Sequence, residues 1–194
     1  MKKVIALFAF MLLGASLFSQ TKWVVDNVHS SVKFTVTHLV ISEVEGYFKS
    51  YNGTVMAKKP DFAGSSIDFT VDVNSISTDN DTRDKHLKSA DFFEVEKYPQ
   101  MTFKSTSFRK ISGNKYQLNG NLTIHGITKP VKFDVTYGGT AKDGYGNIKA
   151  GFKAVSKVNR FDYGLKWNAL TEAGGATVGK TVTIELRMEF AKSK

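Results

Sequence analysis

Apolar and polar residues alternate with period two through most of this chain, and few folds can satisfy that pattern. Val32, Phe34, Val36 and His38 share one face of a strand over 29–38, with Lys33, Thr35 and Thr37 on the other. The segment 46–56 reads as a second strand with a kink near Ser50 or Gly53. Over 66–76, Ile67, Phe69, Val71 and Val73 oppose Asp68, Thr70 and Asp72. The alternation resumes with Met101 and Phe103, then over 116–125 (Tyr116, Leu118, Leu122, Ile124), 131–137 and 148–154 (Ile148, Ala150, Phe152, Ala154). It ends with Val182, Ile184, Leu186, Met188 and Phe190. Turns are expected at 126–130, at Gly138-Gly139 and at Asp143-Gly-Tyr-Gly. About eight amphipathic strands with mostly short turns and no repeat make one all-β domain. Both a sandwich and a barrel fit. The barrel is favoured because no strand carries the marks of a protected edge, and closure removes edges. A single eight-stranded antiparallel barrel has room inside for side chains or one small ligand, and inward faces this apolar would take a greasy one.

One stretch breaks the pattern. Thr78 or Asp79 is placed to cap a short helix, with Asp81 and Asp84 in its first turn, and Phe92-Phe93 follows as an apolar plug. Tyr98-Pro99 ends anything helical. A helix between two strands, trailed by adjacent phenylalanines, is expected to act as a lid at one mouth of the barrel. The connection 160–175, aromatic and then glycine-rich, is the other irregular segment.

Met1-Lys-Lys, the apolar run from Val4 to Leu13 and the small residues after it read as a secretory signal peptide over 1–20. The domain is then 21–194, and a periplasmic or secreted location follows. The chain has no cysteine, so the exported domain must be held by its core rather than by disulfides. Loss of Lys2 and Lys3 lowers the formal charge from +9 to +7. The lysines (Lys33, Lys49, Lys132, Lys149, Lys153) are scattered on outward positions without exposed aromatics between them, which argues against a nucleic-acid partner.

Catalytic motifs are missing. There is no Gly-x-Ser-x-Gly elbow, Walker loop or His-Glu-x-x-His. His29 and His38 have the wrong parity to share a metal on one strand, and Asp79, Asp81 and Asp84 lack the glycine and glutamate of a calcium loop. No metal and no cofactor is expected. His38, at the end of an apolar inward face, and Arg83 and Arg160, in the irregular connections, are candidates for a ligand's polar head group. Phe34, Val36, Phe69, Val71, Phe103, Leu122, Phe133, Phe152, Ile184 and Leu186 are the candidate apolar walls.

An ordered set of motifs resembles one family. It comprises Trp23-Val-Val-Asp-x-x-His29-Ser, Phe34-Thr-Val-Thr-His38, Gly46-Tyr-Phe48 and Ser75-Ile-Ser-Thr78. It continues with Arg83-Asp-Lys-His-Leu-Lys-Ser-Ala-Asp-Phe-Phe93, Tyr98-Pro-Gln-Met-Thr-Phe103, the stretch from Gly120 to Val131, and Arg160-Phe-Asp-Tyr-Gly-Leu165. In these residues the chain resembles the YceI-like family of exported, lipocalin-like polyisoprenoid-binding proteins. The resemblance implies a lipocalin-like barrel with one or two short helices near a mouth. It also implies a long isoprenoid or other amphiphilic lipid held lengthwise inside, without catalysis. Quinones, polyprenyl phosphates and fatty amides are all ligand classes it brings, so the lipid's identity does not transfer. Ala173-Gly-Gly-Ala-Thr-Val-Gly is a local variation. An enzyme acting on a lipid head group through His38, Arg83 and Arg160 stays open, as does a solid barrel used for protein interaction. Transient membrane contact and a homodimer also stay open.

Overall fold

The computed structural model describes residues 20–169 and 177–193. All but the last residue of the expected signal peptide, and most of the glycine-rich 173–179 variation, lie outside them. The strands are β1 (Thr21–Val25), β2 (Ser31–His38), β3 (Ser42–Phe48), β4 (Tyr51–Ala57), β5 (Ser66–Asp72) and β6 (Ile76–Ser77). They continue as β7 (Gln100–Ser112), β8 (Lys115–Ile124), β9 (Ile127–Lys142), β10 (Ile148–Asn159) and β11 (Val178–Lys192). Every pairing is antiparallel. β1 and β2 run end to end along β11, at its 190–192 and 178–187 parts respectively. On their other side they meet β4 and β3, which run end to end in the same way. β5 continues into β6 through a single 3-10 turn, Val73–Ser75. The segments therefore form eight staves, each beside its neighbour in sequence, and the β1–β11 pairing closes the barrel.

The kink expected near Ser50 or Gly53 falls at Lys49-Ser50, between β3 and β4. Other local expectations shift. Gly138-Gly139 is no reversal, because β9 runs through it. Gly139, at φ 113°, sits opposite Gly151 at a bulge that bends the paired strands. The β8–β9 turn is shorter than 126–130. His125 and Gly126 alone make it, with φ of 50° and 72°, the paired left-handed conformations whose twist suits a two-residue hairpin. Pro130 thus lies within β9, opposite Asn121. The helix, α1 (Asp81–Lys88), is capped by Asn80 rather than by Thr78 or Asp79. Asp79 has a left-handed φ of 56°, whereas the Asn80 side chain accepts the Arg83 N–H at 2.9 Å. Asp84 turns back to accept from the Thr78 N–H and hydroxyl, at 2.8 and 2.5 Å.

The two ends of the barrel differ. At one, Phe62 in the β4–β5 connection is 1% exposed. Its ring lies 5.0 Å from Trp23, 5.1 Å from Phe152 and 5.5 Å from Tyr137, and these rings plug that end. The Tyr116 hydroxyl donates to the Asp61 carbonyl at 2.7 Å and fixes the connection that carries Phe62. The other end collects α1, the β2–β3 and β8–β9 turns and the connection after β10.

A charge cluster ties the β1–β2 corner to the wall. The Lys149 ammonium bonds the Asp26 carboxylate and lies 3.3 Å from Glu189, and His29 Nδ1 is 3.2 Å from Asp26. Asp26, His29 and Glu189 together are metal-type donors, but Lys149 already supplies their cation. The lysine beside it holds the Asp26 carboxyl down at about 2. A carboxyl depressed by folding stabilises the fold above its unfolded value, near ~3.9, and stops doing so as pH falls through the folded one. Acid titration of stability should therefore show wild type losing ground between about pH 4 and pH 2. Asp26→Asn should start less stable and lose less over that window. An unchanged acid limb in Asp26→Asn would rule out this linkage.

Candidate functional site

The barrel encloses a cavity of about 220 Å³. All ten residues expected as apolar walls border it. Their inward direction follows from the strand register: Phe34 and Val36 on β2 are paired with Ile184 and Val182 on β11, and Phe69 on β5 with Phe103 on β7.

The space exists because of where three of those rings lie. A Cβ added at Gly46 would come 2.3 Å from the Phe34 ring, one at Gly53 2.3 Å from Phe69, and one at Gly120 2.3 Å from Phe103. Each ring thus covers a glycine of the neighbouring strand, in contact with the wall instead of reaching across the bore. Phe69 also stacks on Tyr51, and Phe103 meets Phe133 edge-on.

Leu87, Phe92 and Phe93 of the helical segment close over the cavity, with Tyr163 and Leu165 from the connection after β10. An aromatic clasp holds the two together: Trp167 lies 5.0 Å from His86 and 5.2 Å from Phe92, while Phe93 meets Phe48 at 6.1 Å. His86 is oriented by Asp91 at 2.9 Å. His125 sits beneath Tyr98, with Nε2 3.5 Å from Glu94.

The three polar candidates are not brought to one place by any shared hydrogen bond. Arg83 donates to the Thr78 hydroxyl and carbonyl, both at 2.7 Å, and does not border the cavity. His38, at the β2–β3 turn, does not border it either. Arg160 does, and it is only 4% exposed. Its guanidinium donates to the carbonyls of Leu165, Trp167, Val178 and Gly179 at 2.5–3.0 Å, clasping the connection to β11. Burial pulls its pKa below the ordinary guanidinium value, but a guanidinium stays a cation in a protein. Among the described residues no carboxylate pairs with it. Burial also pushes the Tyr163 hydroxyl up to about 12, so that hydroxyl stays protonated near neutral pH.

Sequence reasoning missed much of the lining, including Phe108, Tyr163, Leu165 and the lid's Leu87. Phe108 sits past a register shift in β7, so the parity counted from Phe103 fails there. Tyr163 lies in a 3-10 turn, where no strand period applies.

The sequence pattern of the YceI-like domain matches residues 23–190. The chain belongs to the YceI-like family. Among its relatives, a UPF0312 protein of Pectobacterium atrosepticum is 35% identical over 100% of this chain and 98% of its own length. Protein YceI of Salmonella agona is 35% identical over 91% of this chain and 92% of its own. Among solved structures, the YCEI protein of Campylobacter jejuni is similar at 35% identity and a TM-score of 0.66, over 81% of this chain and 90% of that one. BcnA of Burkholderia cenocepacia is similar at 26% identity and a TM-score of 0.72, over 85% and 98%. A polyisoprenoid-binding domain of Saccharophagus degradans shares the fold at 16% identity and a TM-score of 0.64, over 88% and 98%.

In this YceI-like barrel, Gly53→Ala should force the Phe69 ring off the wall and into the bore. Denaturant unfolding should show a loss of about 1–3 kcal/mol, as for other overpacked sites. Phe69→Leu made in that background should recover part of it. No loss in Gly53→Ala would mean that the ring does not depend on the glycine.

Proposed function

We propose that this YceI-like protein is a non-catalytic carrier or store for an amphiphilic lipid with an isoprenoid tail, such as a quinone or polyprenyl phosphate. It works in the periplasm or outside the cell once the signal peptide is removed. The observation that carries this reading is the cavity itself, bordered almost entirely by aliphatic and aromatic side chains. The polyisoprenoid-binding domain of Saccharophagus degradans, which shares the fold, supports the choice of ligand class.

Size and energy both suit a prenyl chain. At roughly 15 Å³ of accessible volume per water-sized group, 220 Å³ has room for about fifteen such groups, or about three isoprene units. Burying about ten methylene equivalents at ~0.8 kcal/mol each contributes about 8 kcal/mol, which before ordering costs corresponds to micromolar affinity. The tail gives affinity and a polar mouth gives orientation. Phe34, Val36, Phe69, Val71, Phe103, Leu122, Phe133, Phe152, Ile184 and Leu186 contact the tail. Arg160, cationic, bordering the cavity and bonded among the described residues to carbonyls, faces an acceptor head group. His38 and Arg83 act at most at the outer rim.

Isothermal titration with a series of prenols of increasing length tests this. Affinity should rise steeply up to about three isoprene units and then level off, because further units find no wall to cover. Ile184→Asp, which buries an unpaired charge in the wall, should lower affinity at least about a hundredfold. Affinity that ignores chain length, or survives Ile184→Asp, would contradict tail burial.

A further inference from the structure

The β2–β3 turn carries three consecutive apolar side chains out into solvent: Leu39 is 39% exposed, Val40 68% and Ile41 85%. Folding alone does not call for this. Leu39 and Val40 hold left-handed backbone, with φ of 51° and 67°. That conformation suits glycine or asparagine and is unfavourable for a β-branched residue such as Val40. The tip is nonetheless held in place. Leu39 donates its N–H to the Thr177 carbonyl at 2.9 Å, and the Ile41 N–H and Ser42 hydroxyl both reach the His38 carbonyl.

Its position is as informative as its composition. His38 is paired with Val178, whose carbonyl accepts from Arg160, so the tip stands beside the cavity mouth. Below it on β2, Val36 and Phe34 already belong to the cavity wall. An apolar track thus runs from the exposed tip down into the bore. Within the hairpin, between Lys33 and Lys49, there is no lysine or arginine and the charges are Glu43 and Glu45, while the exposed Lys180 of β11 is the cation beside it. A surface that recognised this tip would do so by its apolar interior and not by anionic charge.

We propose that the β2–β3 tip docks the mouth of the barrel on a lipid bilayer. Leu39, Val40 and Ile41 dip between head groups and acyl chains, so that the lipid passes between bilayer and bore without crossing water. The proposal rests on the carrier reading above and names the partner with which the carrier exchanges. The contact is shallow and reversible, it needs no anionic lipid, and salt screens it little.

The test uses the mature protein, the double variant Val40→Asn/Ile41→Ser, and a fluorescent farnesol analogue as cargo. Vesicles are made of phosphatidylcholine alone and of phosphatidylcholine mixed with phosphatidylglycerol. Asparagine tolerates left-handed backbone, so the variant should melt at the same or a higher temperature. Cargo affinity in solution should stay within about twofold of wild type, since neither side chain lines the cavity. Flotation with vesicles and the rate of cargo transfer to them should each fall at least about tenfold, because two inserting apolar side chains are gone. The wild-type rate should rise with vesicle concentration and be alike for the two compositions. Intact cargo binding with undiminished flotation and transfer in the variant would overturn the proposal. So would a transfer rate independent of vesicle concentration, or a wild-type dimer that the variant turns into a monomer. A wild-type protein that floats with vesicles through this tip but takes up no farnesol would support the docking surface and count against the carrier reading instead.

Discussion

An eight-stranded barrel readily fills with its own side chains, so a hollow one needs something that keeps large rings against the wall. Here that is the contact of Phe34, Phe69 and Phe103 with glycines of the adjacent strands. Gly46, Gly53 and Gly120 have no side chain to prop the rings inward, and each ring covers its glycine instead. The same contact offsets the weakness that glycine brings to a strand, since the aromatic face shields the bare backbone. Stability and cavity volume therefore come from one arrangement.

The remaining features act on the two ends of that bore. Phe62 and the rings around it stop one end, anchored through the Tyr116 bond to the Asp61 carbonyl. The other end is covered differently: by a helix of eight residues with no fully buried side chain, held by rings of Phe92, Phe93 and Trp167. The Arg160 clasp fixes the frame against which that lid rests, using backbone carbonyls that would otherwise lack partners. A plugged end and a lidded end give the cavity a single direction of access, and it is at the lidded end that the apolar tip of the β2–β3 hairpin projects.

The strand alternation was enough to read an all-β barrel, and the wall positions Phe34, Phe69, Phe103 and Ile184 followed from parity alone. What parity could not reach was anything beyond a register shift or off a strand. Phe108 lies past the bulge in β7, Phe62 sits in a turn between Asp61 and Ala63-Gly64, and Tyr163 occupies a 3-10 turn. The cap at Asn80 was hidden because Thr78 and Asp79 are equally good capping residues, and only the left-handed φ of Asp79 decides among them. Around Trp23 the apolar run is too short to show a period, yet β1 supplies the pairing with β11 that closes the barrel. Closure depends on partners far apart in sequence, which no local pattern records.

An open bore that receives an apolar chain along its length is tested by a crystal structure of the mature protein grown with farnesol. Continuous density for the chain against the rings of Phe34, Phe69 and Phe103, with its hydroxyl toward Arg160, is the expected result. A bore filled by the protein's own side chains, with farnesol absent or bound only outside the barrel, would contradict the claim.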